Sequence, residues 1–175
     1  MATTYELIAK VVLGSSAATI DFASIPSTHD DLLLLVSERN DNASGGASGY
    51  ALRCNINGVS TNRSWRRLLG YYGGGSAKAI SDTSTTANIG ISPAADVTGN
   101  TFSSHEIYFA NYAGSTNKSF SSSFVSENNS ATSFALGAMA CLWSSTAAIT
   151  QLTLYPDSGN FVSGSTAYLY GITKS

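Results

Sequence analysis

The run Asp31-Leu32-Leu33-Leu34-Leu35-Val36 is the most informative stretch of this chain. Its five consecutive apolar residues would make both faces of a β-strand apolar, because successive side chains on a strand point to opposite sides. This pattern is typical of a central strand covered on both faces, either by a second sheet plus a loop or by another subunit. We expect Leu33→Asp and Leu34→Asp each to abolish folding, since a buried unpaired charge is costly.

Short strand-like runs separated by Gly, Ser, Asn and Asp continue on both sides of this stretch. The run Tyr5–Val12 alternates with a period of two, and Ile20 and Phe22 do the same just before a proline. Asn57-Gly58 is a strong hairpin-turn dipeptide and ends a run over Tyr50–Ile56. Further strands are predicted at Arg63–Tyr72, His105–Asn111, Lys118–Glu127, Ser133–Trp143, Ile149–Tyr155 and Ala167–Thr173.

These runs predict an all-β fold. No window has a convincing apolar period of 3.6 residues, and the one rival helix, Ala135–Leu142, contains Gly137 and lies beside two aromatic residues that favour a strand. About nine or ten short strands predict an antiparallel two-sheet β-sandwich, with a jelly roll or a related Greek key as the favoured topology.

The length and composition indicate one domain over residues 1–175. A long loop is expected around residues 73–100, where large apolar residues are few, with room for one edge strand near Ala77–Ser81. Charged residues make up 11% of the chain, against about 25% in ordinary globular proteins. A surface with so few charges repels its neighbours weakly, which suits a protein packed against other subunits.

The same composition argues against several partners and locations. A net charge of −2 opposes general phosphate binding, so no nucleic acid is expected as a partner. No apolar run approaches the ~20 residues that span a bilayer, and the N-terminus lacks the pattern of a secretory signal, so synthesis in a cytoplasm is expected. Cys54 and Cys141 lie in apolar strand-like contexts and are predicted to be buried free thiols.

The sequence offers little for catalysis, metals or cofactors, and we expect none of the three. His29-Asp30-Asp31 could supply two or three metal ligands but no closed site, and it is better explained as a hydrogen-bonded turn. His105 and Glu106 are neighbours on a strand, so their side chains would point to opposite faces. The acids are scattered singly apart from one adjacent pair, whereas glycan cleavage needs two carboxylates about 5–10 Å apart.

Basic and aromatic residues concentrate in one strand-like segment. The predicted partner interface comprises Arg53, Arg63, Trp65, Arg66, Arg67, Tyr71 and Tyr72. The ordinary explanation is that arginine stems cover apolar surface beside a core tryptophan. The alternative is an interface patch, because arginine, tryptophan and tyrosine are enriched at binding hot spots. The interface interpretation predicts that Arg66→Glu or Arg67→Glu weakens incorporation into a larger assembly.

Two parts of the chain resemble a known group of proteins. Thr19–Pro26 followed by Asp31–Val36, and the later segments Asn111-Tyr112, Leu142–Ile149, Pro156–Phe161 and Ala167–Ile172, are similar to small virion structural proteins and fibre-tip modules of tailed bacteriophages, especially those infecting marine cyanobacteria. The resemblance spans nearly the whole chain, and each motif in it is only moderately specific.

The resemblance implies a place in the virion and no catalytic residues. It implies a capsid decoration protein that stabilises the shell, with the major capsid protein or other virion proteins as partners and with self-association, a trimer being the first guess. The alternative is a receptor-binding tail-fibre or head-fibre module that recognises host surface glycan through tyrosines and asparagine-rich loops. A third possibility is a polysaccharide hydrolase.

Overall fold

The computed structural model describes residues 4–44, 50–71, 78–82, 86–129 and 134–174, with the backbone alone for residues 71 and 78–82. Twelve β-strands and no helix occur in this part of the chain. All of the strand pairs are antiparallel, and they form one sheet of eight strands and one of four. The predicted all-β, two-sheet sandwich is confirmed.

The strands follow one another along the chain with short connections. They are β1 (Tyr5–Val12), β2 (Ile20–Phe22), β3 (Asp31–Glu38), β4 (Tyr50–Ile56), β5 (Arg63–Tyr71), β6 (Lys78–Asp82), β7 (Asn88–Ser92), β8 (Ser103–Phe109), β9 (Lys118–Ser126), β10 (Ala135–Trp143), β11 (Leu152–Pro156) and β12 (Thr166–Ile172).

Four of the antiparallel strand pairs are nested along the chain, as in a jelly roll. The large sheet has the order β1-β12-β3-β8-β9-β10-β5-β6, and the small sheet has the order β2-β11-β4-β7. The pairs β1 with β12, β2 with β11, β3 with β8 and β4 with β7 are nested, as they are when one antiparallel hairpin wraps into two sheets. This order favours the jelly-roll topology, which stays a prediction.

Four strands lie outside that nested set and widen one sheet. β5 and β6 are inserted between β4 and β7, and β9 and β10 between β8 and β11. Together they extend the large sheet beyond β8, so its outward side is far broader than the small sheet behind it.

The core fills the space between the two sheets. Leu32, Leu34 and Val36 of β3 are at most 3% exposed, and Leu52 and Ile56 of β4 are fully buried. Burying side chains of this size contributes about 1.5–3 kcal/mol each, so these alternating positions hold the two layers together. The intervening Leu33 and Leu35 point to the other side of the sheet and are only partly buried.

Two strands occupy part of the predicted long loop over residues 73–100, of which residues 73–77 and 83–85 lie outside the described residues. Strand β6 lies close to the expected edge strand, and β7 was not predicted at all. Ile89 and Ile91 of β7 are buried, but the central Gly90 hides the strand pattern in the sequence. A Cβ atom on Gly90 would lie 2.4 Å from Nδ1 of His105, so glycine is needed there for the ring to pack.

Two local features decide register. Asn57 and Gly58 both have positive φ angles, of 51° and 74°, as the predicted hairpin turn requires. In β1 a register shift between Leu7 and Ala9 breaks the strict alternation. The shift places Leu7 on the same side of the sheet as Lys10, which a period of two would not predict.

Candidate binding surface

The structure separates the residues of the predicted basic and aromatic patch. Arg53 lies on the outward side of the small sheet, where Nη2 is 2.6 Å from Oδ1 of Asp157 and Nε donates to Asn88 Oδ1 at 3.2 Å. It therefore belongs to a different surface from the β5 residues. The side chain of Tyr71 and all of Tyr72 lie outside the described residues.

Three members of the patch point into the protein. Arg63 and Trp65 are 7% and 5% exposed, and Arg67 stacks with its guanidinium carbon 5.4 Å from the centroid of the Trp65 ring. All three occupy odd positions of β5, so they share the inward face. Strand β5 starts at Arg63 and pairs with β10 without a bulge, so Arg63 lies on the same face as Trp65.

Arg66 is the patch residue of β5 that faces outward in the described region. It lies on the outward side of the large sheet, which we call the open face. The open face consists of three rows of seven outward side chains, one from each of β1, β12, β3, β8, β9, β10 and β5 in turn. By strand register the rows are Leu7, Tyr170, Leu33, Tyr108, Ser121, Ala140 and Arg66; Lys10, Tyr168, Leu35, Glu106, Ser123, Ala138 and Leu68; and Val12, Thr166, Ser37, Ser104, Val125, Leu136 and Gly70.

The open face is broad and carries few charges. Seven strands about 4.8 Å apart and three rows about 6.6 Å apart span roughly 650 Å². A stable protein–protein interface buries about 800 Å² on each partner, so the open face is close to the size of one. Its three charged residues are Lys10 and Arg66 near opposite edges and Glu106 near the middle.

Large apolar side chains are unusually exposed on this face. Val12, Leu68 and Leu136 are 59%, 61% and 53% exposed, and Leu7 and Val125 are nearly half exposed. Leu68, Leu136 and Val125 lie on the neighbouring strands β5, β10 and β9, whereas Leu7 and Val12 lie on β1 at the opposite side of the sheet. Groups of exposed apolar side chains such as these often mark interaction sites. The apolar run of β3 predicted a cover on both faces, and the second sheet covers one of them. On the other face Leu33 and Leu35 are only partly buried.

Two neighbouring depressions lie in the middle of the open face. One, of about 270 Å³, is bordered by Leu35, Val36, Ser37, Ser104, His105, Glu106, Thr166 and Tyr168. The other, of about 310 Å³, is bordered by Ser104, Glu106, Ser123, Phe124 and Val125. They meet at Ser104 and Glu106, so a carboxylate and a hydroxyl stand between them. Both are open to the outside and could contact an extended ligand, but they could not enclose one.

An ion pair between the buried Asp31 and the exposed Lys174 lies at one end of the open face. The Asp31 carboxylate accepts hydrogen bonds from the Tyr108 hydroxyl and from the Asn111 N–H at 2.8 Å, and Lys174 Nζ lies 2.8 Å away. Burial alone would raise the pKa of Asp31, but the hydrogen bonds from Lys174, Tyr108 and Asn111 outweigh it and hold the pKa below its ordinary value. These contacts fix the Tyr108 ring in the surface.

A second polar cluster lies in the interior, where β3, β7 and β8 meet. Glu38 accepts hydrogen bonds from Ser92 at 2.7 Å and Ser103 at 2.6 Å, and His105 Nε2 lies 3.2 Å from Glu38 Oε1. Serine, histidine and carboxylate together suggest a catalytic triad. However, the same imidazole nitrogen contacts both partners, and no member is more than 2% exposed. A triad needs both ring nitrogens and a reachable hydroxyl, so this cluster serves the fold.

The other candidate metal and catalytic residues are engaged in local structure. His29 Nδ1 lies 3.3 Å from the Thr173 hydroxyl, and Asp30 accepts the Lys174 N–H at 2.6 Å. His105 points inward and Glu106 outward, as predicted from strand alternation. Among the residues that the structure describes, no three His, Cys, Asp or Glu side chains gather in a way that could hold a metal ion. Cys54 and Cys141 are buried and free, as predicted.

The sequence did not reveal the open face or the Glu38 cluster. Each outward residue looks ordinary in its own strand, and only the register across seven strands joins them. The sequence signal for the open face is the pair of apolar residues Leu33 and Leu35, which predicted a cover on both faces of β3. The second sheet covers only the other face of this strand. The Glu38 cluster joins residues 38, 92, 103 and 105, and no local spacing connects them.

A scan of the chain against protein-family models found no match, and a search among curated proteins found none with significant similarity. Within the described ranges no helix is long and apolar enough to cross a membrane. The functional assignment must therefore come from the sequence resemblance and from the chemistry of the surface.

Proposed function

We propose that this protein is a structural component of a tailed-bacteriophage particle, made in the host cytoplasm, which acts without catalysis as a decoration protein on the shell. The open face is the surface that attaches to the major capsid protein, and the protein acts as a cement by covering joints between shell subunits. Oligomeric attachment, with a trimer as the first guess, would repeat this contact around a symmetry axis.

The observation that carries the proposal is the size and low charge of the open face. Apolar side chains that are half exposed in the monomer release water when a partner covers them, at about 25 cal/mol per Å². Leu68 and Leu136 would supply that contact, and Arg66 at the edge would pair with an acidic group on the shell. The sequence resemblance supplies the viral setting.

Reconstitution on particles that lack the protein tests the attachment surface. We expect Leu68→Asp and Arg66→Glu to fold normally, because both side chains are exposed, and to lose particle binding at least tenfold. Val59→Asp is the matched control: Val59 is 39% exposed and lies at the turn after β4, away from the open face. Equal binding by all three variants and the wild type would refute the open face as the contact.

The second candidate function is recognition of a host surface glycan by a tail or head fibre module. The two depressions favour it, because the Tyr168 ring could stack on a sugar while Glu106 and Ser104 bond to its hydroxyls. A glycan array with the wild type and with Tyr168→Ala tests this use. Binding that disappears in Tyr168→Ala would support the glycan function; an array without signal would remove it. A reducing-sugar assay on any bound glycan would separate binding from hydrolysis.

A further inference from the structure

In the part of the chain that the structure describes, five buried nitrogens on the inward face of β5 have no hydrogen-bond acceptor. They are Nε, Nη1 and Nη2 of Arg63, Nε1 of Trp65 and Nε of Arg67. The three residues occupy successive inward positions of one strand, about 6.6 Å apart. Buried donors are nearly always paired in native proteins, so a cluster of five that share one face needs an explanation.

Arg63 also lacks a counter-charge in the described part of the chain. The titratable groups that act on it are Cys54, Cys141 and Tyr155. Burial raises the pKa of the Cys54 thiol to about 11 and that of Cys141 to about 12, so both are neutral at pH 7. Burial lowers the pKa of Arg63 itself, but a guanidinium stays protonated in proteins. The result is an interior positive charge that needs an anion.

We propose that Arg63, Trp65 and Arg67 form an interior binding site for a small oxyanion, a carboxylate, phosphate or sulfate group. The planar fork of Arg63 would donate two parallel hydrogen bonds to two oxygens of the anion, a geometry that a halide cannot use. The indole N–H of Trp65 and Nε of Arg67 would satisfy further oxygens. The site lies between β5 and the small sheet, so it is separate from the open face and independent of the virion role.

The strand register supplies one internal competitor for this role. Asp82 of β6 pairs with Trp65 of β5. If the chain itself provided the carboxylate, a free anion would not bind, and Asp82→Asn would create an anion response that the wild type lacks. The proposal predicts instead that the wild type and Asp82→Asn both respond to oxyanions.

Thermal unfolding at constant ionic strength tests the site, with chloride replaced stepwise by phosphate, sulfate or acetate. At an oxyanion concentration about a hundredfold above its Kd, the wild-type Tm should rise by roughly 5 to 10 °C. Arg63→Met should show only the general salt effect, and in chloride alone it should melt at or above the wild type because its buried side chain is uncharged. Arg66→Met, an exposed arginine of the same strand, should respond like the wild type.

Equal oxyanion responses in the wild type and in Arg63→Met would overturn the proposal, as would a wild type without any saturable response. If Arg63→Met fails to fold, the wild type alone decides. Ion chromatography of desalted and then denatured protein should find about one oxyanion per chain, or titration with phosphate should change Trp65 fluorescence until it saturates. The site would be contradicted if the protein retained no oxyanion and phosphate caused no saturable fluorescence change.

Discussion

Glu38 is the centre of a hydrogen-bonded polar cluster inside this sandwich. The Glu38 carboxylate takes hydrogen bonds from two serines and one histidine, and Ser92 in turn accepts from Asn40 Nδ2 at 2.9 Å. Among the described residues Nδ1 of His105 is buried without a partner, whereas Nε2 lies within hydrogen-bond distance of Glu38 Oε1 and Ser103 Oγ. Buried hydrogen bonds of this kind stabilise a fold, because removing the shared acceptor leaves the remaining buried polar groups without a partner, at a desolvation cost.

Glu38→Ala should therefore lower the free energy of unfolding by about 2–4 kcal/mol, because the two serine hydroxyls and the imidazole lose their shared acceptor. Chemical denaturation measures the change. Glu106→Ala is the matched control, since Glu106 is an exposed glutamate on the neighbouring strand, and it should shift stability by less than about 0.5 kcal/mol. A small effect of Glu38→Ala would mean that the cluster contributes little.

Asp31 makes stability depend on pH. Its pKa is lowered in the folded protein, so its contribution is present above the ordinary carboxyl value, near roughly pH 4, and is lost as the pH falls through the lowered folded value. We expect Asp31→Asn to cost about 1–3 kcal/mol at pH 7, and the difference from wild type to shrink at more acidic pH. Denaturation curves between about pH 2 and pH 7 test this; a constant difference across that range would contradict it.

At the scale of single elements, the sequence predicted the positions of most strands, but it predicted less well which side chains of each strand point inward. Alternation and turn residues found β4 with its actual bounds and most other strands within a few residues. Strand β7 was not predicted, because its two isoleucines flank Gly90, where the packing of His105 requires glycine. The residues of the basic and aromatic patch lie on different surfaces, because neighbours along a strand point in opposite directions. Arg63 shares the inward face of β5 with Trp65.

Strand β3 provides the sharpest test at this scale. Leu34 is fully buried between the sheets, whereas Leu33 is partly buried on the open face. We now expect Leu34→Asp to unfold the protein and Leu33→Asp to fold, with a modest loss of stability and a loss of attachment. Circular dichroism and thermal melts distinguish the two variants. An unfolded Leu33→Asp would show that the open face is covered within the monomer.

At the scale of the whole molecule, the sandwich has one broad sheet backed by a smaller one, and its widest surface is left open. The extension by β9, β10, β5 and β6 adds half of the large sheet. That surface carries half-exposed leucines and few charges, so its contact with water is unfavourable. The proposed role in a particle, where neighbours would cover the surface permanently, would explain why such a face is tolerated.

The copy number of this protein in purified particles tests that role most directly. Quantitative mass spectrometry would compare it with the major shell protein. A decoration protein should be present at about one copy per shell subunit, or at a fixed fraction set by one oligomer per symmetry position. A handful of copies per particle would contradict the decoration role and place the protein on the tail or on a vertex fibre.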